Sequence, residues 1–332
     1  MRVEFRRILC ATDLSESSSV VIEYGSAIAN AFEGRLYGAY VVEIPVPAAP
    51  AAAQALSTDQ ILEIAEAGRE KLSEMLAGKA DETEAIVRHG PAAEALADLA
   101  AELRVDLAVT ATKGLSGLRR LVLGSVTERL IRIVSCPLLI VNVKESAAGR
   151  SPGGTWHPNR ILVGCDFSPD SNHALETAFS LAQEFEAALH LVHVIEPFAY
   201  RDMLLPETFT ADLKERIEPE MRLRLAEVVP EDAGAWCSIQ NACLSGRPHD
   251  ELLRYARRHQ IDLIVLGVRG RSLVETLMLG STTDRVIRQA ACPVLSVCPP
   301  KAGRDGAGKR MKGERGTERP TSNVQRPTSN VE

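Results

Sequence analysis

Two stretches of the chain share a spacing of glycine and serine that suits phosphate chemistry. They are Ala111-x2-Gly114-x9-Gly124-Ser125 and Gly267-x2-Gly270-x9-Gly280-Ser281. Glycine has no Cβ, so backbone N–H groups can approach an anion closely. A Gly-Ser pair that opens a helix adds a hydroxyl and the positive end of the helix dipole at the same place. Far upstream of each stretch stands a carboxylate, Asp13 in Thr12-Asp13-Leu14-Ser15 and Asp166 in Cys165-Asp166-Phe167-Ser168. Each aspartate can face a ligand or cap the helix that follows it. Gly124-Ser125 and Gly280-Ser281 can likewise be plain helix entries. Lys113 and Arg269, inside the glycine loops, can touch phosphate or stand in water.

These residues belong to a chain that repeats itself. Arg7 to Ser15 aligns with Arg160 to Ser168 at an offset of 153, whereas Leu123 to Arg129 aligns with Leu279 to Arg285 at an offset of 156. Cys136-Pro137-Leu138-Leu139 matches Cys292-Pro293-Val294-Leu295 at the second offset. In the first half, short apolar runs (Ile8 to Ala11, Leu36 to Val42, Ala85 to Val87, Leu107 to Ala111, Leu138 to Val143) alternate with amphipathic stretches. Those stretches are Ser17 to Phe32, Thr58 to Leu76, Ala92 to Glu102 and Val126 to Val134. Alternation of this kind predicts βαβ units and a mostly parallel sheet covered on both faces. The expected fold class is α/β, with two tandem five-stranded sheets of the doubly wound, Rossmann-like kind. In such sheets ligands bind beyond the carboxyl ends of the strands, where both aspartates and both glycine patterns fall. The expected domains are 1–143 and 159–300, with a Gly/Pro-rich linker over 144–158 and a disordered tail over 301–332.

Composition narrows the function classes. The 332 residues are 45% hydrophobic, which suits folded cores rather than a wholly disordered chain. The longest stretch without a charge, Ile44 to Thr58, contains three prolines and is too short to span a membrane. Lys plus Arg is 38 against Asp plus Glu at 44, for a net −6. The tail carries eight basic and four acidic residues, so the body is −10, which argues against a nucleic-acid footprint. Arg119-Arg120 is read as a solvated face. Seven cysteines at scattered positions, with no C-x-x-C, signal neither disulfides nor zinc but reduced cytoplasmic thiols. Cys136 and Cys292, each before a proline, read as packing residues. His190 and His193 are three apart on a predicted strand, so they face opposite sides and cannot share a metal there. No G-x4-G-K-[ST] occurs, and no G-x-G-x-x-G follows the first strand, which excludes P-loop and Rossmann-dehydrogenase readings.

With these motifs in both halves, the chain resembles the universal stress proteins. The resemblance rests on the G-x2-G-x9-G-[ST] pattern, the Asp after strand one, and Cys-Pro leading into the last strand. It implies an ATP site, with magnesium, in which Asp13 and Asp166 hold the ribose and Val41 and Val194 pack on adenine. It implies that Gly124, Ser125 and Thr127, and likewise Gly280, Ser281 and Thr283, surround the phosphates, with Val126 and Thr282 in the same helical turns. Ala111 departs from the pattern, and its methyl would crowd a closely approaching ribose or phosphate. If that position needs positive φ, an alanine costs roughly 1–2 kcal/mol, about a tenfold loss of affinity. The second half is therefore expected to bind better.

The resulting expectation is a regulatory ATP-binding stress-response protein acting on an unidentified protein partner. A slow ATPase and a scaffold with vestigial sites are the competing readings, and no catalytic set recurs in both halves. The apolar last strands, Leu138 to Val143 and Val294 to Cys298, are association hazards if left as edges. The resemblance implies that they pair within the chain, because single-domain members dimerise there. Pairing of two whole chains stays open.

Overall fold

The computed structural model describes residues 3–43, 57–112, 123–142, 156–196, 207–231, 233–235, 237–268 and 279–298. The first half runs β1 (Arg7–Ala11), α1 (Ser19–Ala31), β2 (Arg35–Val42), α2 (Thr58–Leu76), β3 (Thr83–His89), α3 (Ala92–Glu102), β4 (Leu107–Ala111), α4 (Ser125–Ile133) and β5 (Leu138–Val141). The second repeats that order as β6 (Arg160–Gly164), α5 (Pro169–Glu184), β7 (Ala188–Ile195), α6 (Glu207–Glu227), β8 (Ile239–Ser245), α7 (Pro248–Arg258), β9 (Leu263–Gly267), α8 (Ser281–Gln289) and β10 (Val294–Val297). Local chemistry sets several boundaries. Ser57 and Gln60 form a reciprocal capping box that starts α2. In β1, Ile8 and Cys10 pack to one side of the sheet and Leu9 to the other, as in a strand covered on both faces.

Among the described residues, ten strands form one sheet in the order β3-β2-β1-β4-β5-β10-β9-β6-β7-β8. Within each half the strands are parallel. The seam between the halves, β5 with β10, is antiparallel, with Leu139 directly opposite Leu295. The last strands therefore pair within the chain, as their apolar, edge-like sequences require. The antiparallel seam also sends the carboxyl ends of the two halves to opposite ends of the sheet.

Residues 1–299 form a single compact unit. One core cluster, under α1, α2 and α5, runs across both halves, and so does the cluster under α3, α4, α7 and α8. Trp156, within the segment expected to be a linker, is buried. Its ring lies 4.8 Å from Tyr24 of α1 and 5.8 Å from Phe185 at the end of α5. The Val3 N–H donates to Ser180 Oγ at 2.8 Å. On the other face, Arg288 of α8 lies 3.8 Å from Glu128 of α4, and Asn142 donates to the Ala290 carbonyl. The tail over 301–332, residue 143, and residues 144–155 of the expected linker lie outside the described residues.

His190 on β7 packs toward α7, its Nδ1 3.0 Å from Tyr255 Oη, while His193 faces the opposite side of the sheet toward Phe167. Burial, then the charges of His259 and Arg160, hold the His190 pKa down at about 4. Its folded value lies below the unfolded one, so the unfolded chain binds more protons in the window between them. The stabilisation is complete above the ordinary histidine range and is lost as pH falls toward about 4. Melting temperatures taken across that window should fall less steeply for His190→Gln than for the native chain.

Candidate functional site

In each half the strand order reverses between the first and fourth strands, β1 beside β4 and β6 beside β9. A crevice opens at such a reversal, beyond the carboxyl ends. Three segments meet there: the aspartate loop, the end of the fourth strand, and the start of α4 or α8. In the second half, Asp166 Oδ1 accepts the Ser168 N–H at 3.0 Å, and Ser168 Oγ accepts the Ser171 N–H at 3.2 Å. In the first, Asp13 Oδ1 accepts both the N–H and the hydroxyl of Ser15, at 3.1 and 2.6 Å. Ser15 Oγ in turn accepts the Ser18 N–H at 3.2 Å. Ser15 and Ser168 are thus the caps, which corrects the expectation that the aspartates could fill that role. The carboxylates instead close tight turns before the helices. Between Asp and Ser the backbone is left-handed in both halves, at Leu14 (φ 60°) and Phe167 (φ 62°). Such a conformation costs a non-glycine residue about 1–2 kcal/mol; like the left-handed residues that follow helices at Glu33 and Glu186 and at Arg104 and Gln260, it recurs in both halves and is part of the repeated fold.

The helix starts are built alike. Gly124 N–H donates to the Thr112 carbonyl at 2.7 Å, and Gly280 N–H to the Val268 carbonyl at 2.8 Å. Thr127 Oγ1 donates to the Ala111 carbonyl at 2.7 Å and Thr283 Oγ1 to the Gly267 carbonyl at 2.8 Å, which ties each first turn to a strand end. No side chain caps either helix. Gly124 (φ −63°, ψ 145°) and Gly280 (φ −60°, ψ 137°) occupy backbone conformations open to any residue. Among the described residues, a Cβ on Gly124 would meet nothing nearer than the Thr112 carbonyl oxygen at 3.4 Å. The described residues do not themselves require glycine at Gly124. Ser125 and Ser281 are exposed, and Val126 and Thr282 are half-buried. The acids of these first turns are balanced, Glu128 by Arg132 and Asp284 by Arg288. Val41 and Val194, near the ends of β2 and β7, are half-buried against the core beneath α3, α4, α7 and α8. Gly114, Gly270, Lys113, Arg269, Arg119 and Arg120 lie outside the described residues.

Ala111 needs a correction. It ends β4 as an ordinary strand residue, without positive φ, and so does Gly267 at the end of β9. The expected backbone penalty at Ala111 therefore does not arise. Glycine at 267 answers a lack of room, because a Cβ there would lie 2.8 Å from the backbone carbonyl carbon of Asp170 in the first turn of α5. In the first half the segment after Ser15 is a 3-10 turn, Glu16–Ser18, before α1 begins at Ser19. The alanine coincides with that different helix start.

The motifs give no sign of what supports the second aspartate loop. His193 Nδ1–H donates to the Cys165 carbonyl at 2.7 Å, the residue before Asp166. The Phe167 ring, just after Asp166, lies 4.9 Å from the His193 ring, and the Arg224 guanidinium of α6 lies 4.4 Å over it. His193 sits three residues from His190 in a strand pattern, which reads as packing alone. Arg224 lies on a helix whose polar surface gives no positional signal. Among the described residues no group of three or more His, Cys, Asp or Glu could hold a metal ion, and no helix is long and apolar enough to cross a membrane.

Comparison with known proteins places this geometry. The universal stress protein family matches the chain twice, over residues 4–142 and 158–297. A universal stress protein of Thermus aquaticus is 37% identical over 142 residues, spanning 41% of this chain and 96% of its own length. One from Methanocaldococcus jannaschii is 32% identical over 145 residues, spanning 43% of this chain and 83% of its own. Among solved structures, a universal stress protein from Archaeoglobus fulgidus superposes with a TM-score of 0.64 at 23% identity. That alignment covers 88% of this chain and 97% of that one.

Proposed function

The chain belongs to the universal stress protein family, and from that premise we propose that it is a regulatory ATP-binding protein whose nucleotide state alters its hold on a protein partner. One observation carries this reading above the others. At both strand-order reversals an uncapped helix begins behind a glycine, and at Gly124 the described residues leave room for a side chain. Bare N–H groups at a helix N-terminus are an anion site, and the phosphates of ATP are the anion proposed here. The N–H groups of Ser281, Thr282 and Thr283, with the Ser281 hydroxyl and Gly270, surround the phosphates. Asp166 receives the ribose hydroxyls and Val194 lies against adenine. Ser125, Val126, Thr127, Gly114, Asp13 and Val41 take the matching roles in the first half. The Thr127 and Thr283 hydroxyls hold the helix starts in place, so their contribution to phosphate is through the backbone. Magnesium arrives on the nucleotide, since it binds such sites mainly through phosphates and water.

In this reading 1–143 and 159–300 are the two nucleotide domains, and the tail over 301–332 stands outside both. The second half binds more tightly, because Gly267 lets α5 and its aspartate loop close directly onto the strand end. Pairing of two chains, where it occurs, uses a surface other than β5 and β10, which occupy each other.

A ligand that binds only the folded state stabilises it by about 2.7 kcal/mol at a hundredfold excess over Kd. ATP with magnesium should therefore raise the melting temperature. Asp166→Ala should blunt the shift by removing the ribose contact, and deletion of residues 301 to 332 should leave it unchanged. A thermal scan in which Asp166→Ala responds as fully as the native chain would remove the ribose role.

A further inference from the structure

We infer that Arg224 of α6 is a positioning residue of the second nucleotide site, acting on Asp166 through Phe167 and His193. The inference rests on the ATP reading above and adds a control point to that site. Asp166 makes its turn through Ser168, but its two chain neighbours are held from elsewhere. Cys165 is fixed by the His193 Nδ1–H, which bonds its carbonyl at 2.7 Å. Phe167 is held by its ring, 4.9 Å from the imidazole of His193 and 4.4 Å beneath the guanidinium of Arg224. Phe167 is also the left-handed residue of the loop, at φ 62°. A residue in that conformation persists only where its surroundings hold it, and Arg224 is the part of those surroundings supplied by α6.

The first half shows that this arrangement is not a requirement of the fold. There the left-handed residue is Leu14, and Tyr40 takes the place of His193. Gly68 of α2 packs flat on Tyr40, so close that a Cβ would come within 2.8 Å of the ring. The loop is held by hydroxyls instead: Thr12 Oγ1 accepts the Leu14 N–H at 3.0 Å and lies 2.6 Å from Ser18 Oγ. The two aspartate loops therefore have the same shape with different supports. The support of the second passes through a cation on α6, the helix between β7 and β8. A change in the position of α6 reaches Asp166 and leaves Asp13 alone.

The test compares the full-length native chain with Arg224→Ala and Arg224→Lys by calorimetric titration with magnesium ATP and by hydrogen exchange at the Ser168 amide. Arg224→Ala should weaken the tighter site roughly two- to fivefold, the scale of one exposed cation–π contact. The other site should keep its affinity, and Arg224→Lys, which retains the cation, should recover most of the loss. Ser168 should exchange faster in Arg224→Ala than in Arg224→Lys, with or without nucleotide. Unchanged exchange, unchanged affinity, or equal loss at both sites would overturn the positioning role. A native chain that binds no ATP would defeat the nucleotide reading instead, and the exchange comparison would still decide whether Arg224 holds the loop.

Discussion

Leu295→Asp should destabilise the chain by more than about 4 kcal/mol, a large share of the roughly 5–15 kcal/mol that holds a typical folded protein. Leu295 is buried at the seam, directly opposite Leu139, and both leucines belong to the cluster that runs across the two halves. The substitution removes a buried leucine, worth about 1.5–3 kcal/mol. It also places a carboxyl group where water cannot reach it, and the group must either stay charged at high cost or take up a proton. Because β5 and β10 are, among the described residues, the only strands that join the halves in the sheet order, damage there undermines both. Leu223 of α6 is 66% exposed and supplies the control, since Leu223→Asp should change stability by no more than about 0.5 kcal/mol. Urea unfolding of the three proteins decides the matter, and equal midpoints for the two variants would contradict the seam.

Gly267→Ala should cost about 1–3 kcal/mol, the usual penalty for overpacking a tight site. It should weaken nucleotide binding in the same half as well. The new methyl group would meet the backbone of Asp170, and backbone gives way only by moving the first turn of α5. That turn begins at Pro169, immediately after the Ser168 cap, so the Asp166 loop moves with it. The reverse exchange, Ala111→Gly, should lower stability by about 0.5–1 kcal/mol through backbone entropy alone. It should leave the first site's affinity unchanged. Thermal melts and ATP titration of both variants separate this space-based account from one based on backbone conformation, which would have Ala111→Gly tighten the first site about tenfold.

Much of this arrangement is legible in the order of residues alone. The repeat offsets foretell two matching halves, and Thr58 to Leu76, Ala92 to Glu102 and Leu107 to Ala111 coincide with α2, α3 and β4. These segments are readable because amphipathic period and strand alternation are local properties. Features that depend on contacts between distant residues are not. Ala111 reads as a methyl that crowds a ligand or a residue short of backbone freedom, and only the approach of Asp170 shows that Gly267 makes room for the first turn of α5. Either Asp13 or Ser15 can cap a helix by type, and the backbone angle at Leu14 settles which one does. Trp156 lies among glycines and prolines that read as linker, and its burial depends on Tyr24 and Phe185, more than a hundred residues apart. The support of Asp166 by His193 and Arg224 joins three segments that no sequence spacing connects.

The central claim, that the helix starts behind Gly124 and Gly280 hold nucleotide phosphates, is tested most directly by calorimetric titration of magnesium ATP into the full-length native chain and into Gly280→Val. The backbone angles at Gly280 are open to valine, so the substitution adds bulk before α8 without backbone strain. The account predicts binding by the native chain and loss of its tighter site in Gly280→Val, with the weaker site retained. Native protein that takes up no ATP, or a Gly280→Val chain that binds it as the native chain does, would contradict the claim.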